Sequence, residues 1–229
     1  MNYTGREMES MDFAVNYHRW ILDTFQPFLG THIIEVGAGT GAFSEMLLAN
    51  NPESLILLEP SSNLYPLLLN RMGPERARKS TLREASLPPA TSDSILYVNV
   101  LEHVEDDTAE LAAVYTMLAP GGRVFIFAPA NRWLMSDIDL LMGHCRRYTL
   151  DELILKCRSA GFEIHMAKHF DVLGIAPWWV KYRILKSTKM EPRLVQLYDR
   201  FVVPVARVLE GWMPPPLGKS IILVGEKRE

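Results

Sequence analysis

Ile33-Ile34-Glu35-Val36-Gly37-Ala38-Gly39-Thr40-Gly41-Ala42-Phe43 is an apolar run that breaks into Gly37, Gly39 and Gly41, and Leu55-Ile56-Leu57-Leu58-Glu59 follows as a second apolar run closed by an acid. A strand, a glycine turn, a helix and a second strand open a doubly wound α/β sheet. Glycine has no Cβ, so the turn lets backbone approach a ligand closely. An acid at the tip of the next strand can accept both hydroxyl protons of a ribose. The stretch therefore points to an adenosine-containing cofactor, with Glu59 on the ribose.

Gly37, Gly39 and Ala42 also satisfy the dinucleotide pattern G-x-G-x-x-G/A, which on its own is weak evidence. Glu35 decides between the two readings. A carboxylate two residues before the first glycine would repel a pyrophosphate. It suits a ligand bearing positive charge, such as the amino group or sulfonium of S-adenosylmethionine.

The chain has 229 residues, 48% of them hydrophobic, which is enough for one α/β domain spanning 1–229 and short for two. A net charge of −3 gives no global attraction to nucleic acid, so no nucleic-acid partner is expected. Cys145 and Cys157 form no CxxC and have no histidines at zinc-site spacing, so neither a disulfide framework nor a metal is expected. Arg6, Glu7, Glu9 and Asp12 are wrong for a secretory leader, and no run approaches the roughly 18 apolar residues of a membrane span. These features predict a cytoplasmic chain that is at most peripheral to a membrane.

Strand-like runs at 33–36, 55–58, 95–100, 123–128 and 220–225 alternate with helical patterns, as in a sheet covered on both faces. One helix is expected after Asp107, with Glu110 at capping-box spacing, a stripe of Leu111, Val114, Tyr115 and Leu118, and a stop at Pro120-Gly121-Gly122. Another starts at Thr149, carries Leu150, Leu153, Ile154 and Cys157 on one face, and ends at Gly161. Residues 1–30 read as an N-terminal helical cap. Residues 129–148 and 171–219 interrupt the rhythm and read as insertions forming a substrate lid above the ligand crevice. The second insertion holds Trp178, Trp179 and Tyr182, then Leu194, Leu197, Tyr198, Phe201, Val205 and Val208 at helical spacing, with Pro204 expected to kink that helix.

The glycine loop, Glu59-Pro60, Leu101-Glu102-His103-Val104 and Leu118-Ala119-Pro120-Gly121-Gly122 stand in the order and spacing of the class I S-adenosylmethionine-dependent methyltransferases, which residues 30–128 resemble. The resemblance implies a Rossmann-like, mostly parallel seven-stranded sheet whose last strand is antiparallel, with helices on both faces. It further implies that Gly37, Ala38 and Gly39 approach the donor's methionine end, that Glu59 takes the ribose hydroxyls with Pro60 also at the cofactor, and that Asn99 and Val100 border the methyl-transfer face. The product would be S-adenosylhomocysteine. Where that family has Gly-Asp-Ala near the adenine, this chain has Arg83-Glu84-Ala85-Ser86. Either Glu84 or Ser86 stands in for the Asp, or Glu84 is merely solvated; Ala85 and Ser86 are assigned to the adenine. Gly143-His144-Cys145-Arg146-Arg147-Tyr148 and Asn16-Tyr17-His18-Arg19-Trp20 resemble a bacterial subgroup with a Gly-His-x-Arg-Arg-Tyr segment, associated with cell-surface glycan or polyprenyl-linked metabolism.

Methyl transfer is an in-line displacement at carbon, so the protein mainly aligns nucleophile, methyl and sulfur and excludes water; it needs no metal. A hydroxyl acceptor requires a base. His103 is one candidate, the alternative being a histidine that caps its loop, and His144 is a second. Arg146 and Arg147, with Tyr148, could hold an anionic group of the acceptor, or either arginine could anchor the insertion by an ion pair. Tyr17 could close over the donor or simply pack with Trp20. These residues favour O-directed transfer to a small-molecule, lipid-linked or glycan-linked acceptor, and leave the oligomeric state open. Transfer to RNA or protein, an NAD-dependent oxidoreductase and a non-catalytic donor-binding protein remain the competing readings.

Overall fold

A computed structural model describes residues 13–228. The first twelve residues, including Arg6 to Asp12 and much of the expected 1–30 cap, lie outside the described residues. Seven strands, β1 (His32–Val36), β2 (Ser54–Leu58), β3 (Ala77–Arg78), β4 (Ser92–Val98), β5 (Leu118–Pro129), β6 (Phe162–Phe170) and β7 (Ser220–Lys227), form one sheet in the order β3-β2-β1-β4-β5-β7-β6. All neighbours pair parallel except β7, which runs antiparallel to both β5 and β6. The strand order reverses between β1 and β4, which leaves a crevice outside their carboxyl ends. Val36 is in register with Leu58 of β2 and Tyr97 of β4, so the glycine turn, Glu59 and Asn99 all emerge at that crevice.

Helices α1 (Val15–Phe25), α2 (Ala42–Leu48) and α3 (Tyr65–Met72) contribute to the core on one face, where Phe25, Leu57, Leu96, Phe125 and Phe127 are buried together. Helices α4 (Asp107–Met117) and, later in the chain, Leu150–Ser159 contribute to the other, with Ile95, Tyr97, Leu111, Val114, Ile126 and Leu153. Alternate residues of β4 and β5 thus enter two different cores. That is why both strands read as unbroken apolar runs.

Several boundaries differ from the sequence reading. The cap of α4 is Asp106, whose carboxylate accepts from Ala109 N at 2.9 Å, and no capping box forms through Glu110. Glu110 instead turns inward and accepts the Tyr97 hydroxyl at 2.6 Å, because a buried phenol needs a partner. Strand β5 begins at Leu118, before the glycine pair, and its pairing with β4 shifts register between Ser92 and Ser94. Strand β4 stops at Val98 rather than residue 100, since Asn99 takes a left-handed backbone with φ 55°. The Thr149 cap holds: its side chain accepts from Glu152 N, and Gly161 follows the helix with φ 103°.

In the segment 129–148, α5 (Asp137–Met142) starts on a reciprocal Ser136/Asp139 capping box. It precedes the helix already placed at Leu150–Ser159, α6. In 171–219, α7 (Ile175–Trp178) runs on in wider turns to Ile184, and α8 (Pro192–Leu197) joins α9 (Val203–Trp212) through a widened turn at Tyr198–Val202. The widening directly precedes Pro204, whose ring would clash with the carbonyl four residues back in a regular α-helix. The two insertions pack on each other through Ile138, Met142 and Tyr182, and Trp178 Nε1 donates to Leu134 O at 3.3 Å. Asp199 accepts from Asn16 N at 3.0 Å and Tyr17 N at 2.8 Å, satisfying open donors at the start of α1. Val203 and Ala206 are buried in the α1 core. Leu194, Leu197, Phe201, Val205 and Val208 face outward instead, between 47% and 60% exposed.

Candidate functional site

The glycine turn is held against β2: Gly37 N and Ala38 N donate to Leu58 O at 2.8 and 3.0 Å. Gly37 has φ 69°, and a Cβ there would sit 2.5 Å from Val100 Cγ2. Both the backbone and the space therefore demand glycine. Glu59 is 4% exposed and accepts from Gly39 N through Oε2 and from Ser61 N through Oε1, each at 2.8 Å. Each carboxylate oxygen keeps further lone-pair capacity, so Glu59 can still accept hydroxyls. Glu35 is buried under the turn and accepts the Ser44 hydroxyl of α2. Burial pushes its carboxyl up to about 8, the Ser44 bond opposes this, and the charge of Glu59 adds to it. A cation arriving at the turn would find a site short of positive charge, which fits S-adenosylmethionine.

Pro60 is half-buried after Glu59, at the same end of the sheet. Glu84 accepts from the Thr81 backbone at 3.3 Å and its hydroxyl at 3.0 Å, closing its own turn. Ala85 packs half-buried on the second core, and Ser86 is exposed with φ 46°.

Asn99 N donates to Phe127 O at 2.8 Å, Val100 touches the glycine turn, and the chain then makes a single turn over Leu101–His103. Here the two candidate bases meet. The rings of His103 and His144 lie edge to face with centroids 4.7 Å apart. His144 Nδ1 is 3.0 Å from Asp139 Oδ1, and its Nε2 is 3.9 Å from Glu102 Oε1. Glu102 is 0% exposed, and neither of its oxygens has a hydrogen-bond partner. Burial lifts its carboxyl to about 7 against the opposing charge of His144. Burial, reinforced by the charge of His144, lowers His103 to about 4, so its ring is neutral near pH 7 and binds a proton only weakly in the free protein.

The arginine pair is not arranged as an anion clamp. Arg147 is 2% exposed; its Nε and Nη2 bond Asp139 Oδ1 at 2.9 and 2.7 Å, Nη1 donates to Ala130 O, and the guanidinium lies 4.7 Å from the Trp178 ring centroid. Arg146 turns the other way, to Asp107 Oδ2 at 2.6 Å and Glu105 O at 2.7 Å. Tyr148 is buried and donates to Asp107 Oδ2 at 2.8 Å. Neighbouring residues on an extended segment diverge, and each arginine finds a protein carboxylate; these side chains fasten the first insertion to the sheet. Tyr17 is likewise a packing residue, edge to face with Trp20, Phe127 and Phe170 at 6.2, 5.9 and 5.8 Å.

Sequence reading gave no site role to Asp139, to Asp107 beyond a helix start or to Glu102 beyond its motif, yet this region is organised around these acids. Asp139 carried a signal in its Ser136-x-x-Asp139 capping spacing; the other two are single acids whose partners are remote in sequence. A cavity of about 430 Å³ lies elsewhere, lined by Asn131, Thr149, Asp151, His169 and Pro214–Pro216, and has no residue of the glycine turn or the histidine pair.

Residues 13–167 match the family model described as a methyltransferase domain. A Mycolicibacterium smegmatis protein named as a probable S-adenosylmethionine-dependent methyltransferase is 29% identical over 64% of this chain and 55% of its own length. A ubiquinone biosynthesis O-methyltransferase of Aeromonas salmonicida is 29% identical over 54% of this chain and 53% of its own. The chain thus spans about half the length of the curated relatives it matches. Among solved structures, a Thermotoga maritima S-adenosylmethionine-dependent methyltransferase superposes with TM-score 0.61 at 19% identity, over 94% of this chain and 92% of that one. Phosphoethanolamine N-methyltransferase 2 of Haemonchus contortus in complex with S-adenosylmethionine gives 0.63 at 16%, over 93% and 53%. Fold and family match agree with the glycine turn and its two acids: the chain belongs to the S-adenosylmethionine-dependent methyltransferase family.

Proposed function

We propose that the chain transfers the methyl group of S-adenosylmethionine to an oxygen of a small, hydroxylated acceptor with an apolar portion. The observation carrying this reading is the His103/His144 pair, which stands one turn beyond Val100, itself packed against the donor glycines. In this reading Gly37, Ala38 and Gly39 take the methionine end, Glu59 the ribose, Ala85 and Ser86 the adenine, and Glu35 balances the donor's positive charge. The acceptor oxygen attacks the methyl carbon as the carbon–sulfur bond breaks, leaving S-adenosylhomocysteine. The hydroxyl proton passes to His103 or His144. The O-methyltransferase names of several relatives, at 25–31% identity, support oxygen as the target. The insertions at 129–148 and 171–219 form the acceptor side, and the exposed apolar stripe of α8 and α9 supports an acceptor met at a membrane surface.

A labelled-methyl assay over phenolic, polyprenyl-linked and glycan-linked hydroxyl compounds, with RNA and protein as separate arms, tests the reading. Label on a hydroxyl oxygen of a small compound is expected. Label on RNA or protein alone, or donor binding with no transfer to any arm, overturns it; so does calorimetry showing tight NAD binding and none for S-adenosylhomocysteine.

A further inference from the structure

We propose that Glu102, His103 and His144 form a binding site for one divalent transition-metal ion. One ligand atom from each lies within 4.8 Å of the others, although His144 comes from the first insertion and the other two from the turn after β4. Among the described residues no other group of three such side chains comes together this way.

Glu102 supplies the second, independent observation. It is completely buried, yet neither oxygen has a hydrogen-bond donor, and the nearest cation-forming nitrogen, His144 Nε2, is 3.9 Å away. Buried carboxylates in folded proteins are almost always paired or coordinated, because an unmatched one forfeits its hydration. An ion pair with His144 alone would still leave the second oxygen bare. A metal between Glu102 and the two imidazoles satisfies the carboxylate and uses both rings.

The surroundings are those of a ligand-orienting shell. Asp139 Oδ1 holds His144 Nδ1 at 3.0 Å, which turns Nε2 toward Glu102, and Asp139 is itself fixed by Arg147 and by Ser136 at 2.9 Å. His103 is held by the backbone of Gly143. A carboxylate behind a ligating histidine fixes its tautomer and raises its basicity. Two imidazoles and one carboxylate suit Zn²⁺, Mn²⁺, Fe²⁺ or Co²⁺ better than the all-oxygen preference of Mg²⁺ or Ca²⁺. Bonds of about 2.0–2.2 Å at near-tetrahedral angles place ligand atoms roughly 3.4 Å apart, so the three side chains draw together by about an ångström when the ion binds. Three protein ligands leave a coordination position open. That this position takes the acceptor's oxygen rests on the O-transfer reading, in which case the two histidines act as ligands, the ion rather than a free imidazole eases loss of the hydroxyl proton, and that proton leaves to solvent; the binding of the ion does not rest on it.

The test uses the full chain stripped with chelator and titrated with Co²⁺, read by visible absorption, and with Zn²⁺, read by calorimetry. One ion per chain is expected, with binding at least tenfold weaker in Glu102→Gln and in His144→Ala, and unchanged in His32→Ala, an exposed control. Circular dichroism and S-adenosylhomocysteine titration on the same samples report folding and the donor site separately. Absence of stoichiometric binding, or equal binding in wild type, Glu102→Gln and His144→Ala, overturns the site even where donor binding persists. Stoichiometric binding lost in the folded Glu102→Gln variant upholds it, even if the labelled methyl is later found on nitrogen and only the O-transfer reading falls.

Discussion

His103 and His144 meet with ring centroids 4.7 Å apart, one closing the turn after β4 and the other following α5. Proton removal by a positioned side chain typically contributes 10²–10⁴-fold to a rate. His103→Ala is therefore expected to lower kcat by about 10²-fold while leaving S-adenosylhomocysteine affinity within about twofold. Steady-state kinetics beside calorimetry checks this, and a matched loss of donor affinity would assign His103 to the cofactor instead.

Glu59 binds two backbone N–H groups of its own protein as well as the proposed ribose. Glu59→Ala should weaken donor binding by about 1–3 kcal/mol, the usual loss for a charged acceptor in a buried site. Thermal unfolding without donor should fall too, since Gly39 N and Ser61 N lose their partner. Unchanged donor affinity in a folded variant would remove Glu59 from the ribose.

If the buried Glu35 faces the donor as proposed, donor binding is expected to depend on pH. The Glu35 carboxyl is raised from the ordinary carboxylate range to about 8 in the fold, chiefly by burial. The folded chain therefore keeps a proton that the unfolded chain has lost between those values, and this group's contribution to stability declines as pH rises through that window. A cationic donor favours the ionised form, so S-adenosylmethionine affinity should rise with pH up to about 8, by at most about tenfold per unit, with proton release on binding. Calorimetry in buffers of different ionisation enthalpy measures the released proton. A flat profile in wild type, or the same slope in Glu35→Gln, would rule out this coupling.

Arg147 is tied to Asp139 with both side chains at 1% exposure or less. Removing one member of such a pair typically costs about 3–5 kcal/mol, because the other is left charged and buried. Arg147→Ala should thus lower the urea midpoint strongly. Where the variant remains folded, the acceptor's KM should stay near wild type; a raised KM at unchanged stability would restore the arginine to the acceptor.

Leu194, Leu197, Phe201, Val205 and Val208 lie at three- and four-residue spacing on the outward side of α8, the widened turn after it and α9. Cosedimentation with vesicles containing anionic lipid should be clear for wild type and reduced at least about fivefold for the Phe201→Ser/Val205→Ser double variant, in line with the apolar area withdrawn from water. Equal sedimentation of both would detach the stripe from membranes.

The strand–glycine-turn–strand unit at the crevice was legible in the chain because its signals are local. Gly37, Glu35 and Glu59 are read from a strand, a turn and a strand tip, and the backbone there has little freedom. Strands β3 and β6 left no such mark: β3 is two residues long, and β6 lies at the sheet edge with most of its residues half-exposed, so its apolar pattern is diluted. Glu110 shows the limit of local rules, since a capping spacing was overridden by a buried Tyr97 hydroxyl in need of an acceptor.

By itself, the sequence determined the α/β order, the glycine turn and the family, because each depends on short-range backbone chemistry or on periodicity. Only the tertiary structure decided what the charged residues of the first insertion do. Whether Arg146 and Arg147 face a ligand or a protein carboxylate depends on where Asp107 and Asp139 arrive, and whether His144 meets His103 and Glu102 depends on how α5 packs over the end of β4. Those pairings join remote parts of the chain, and nothing in the spacing of either partner specifies the other.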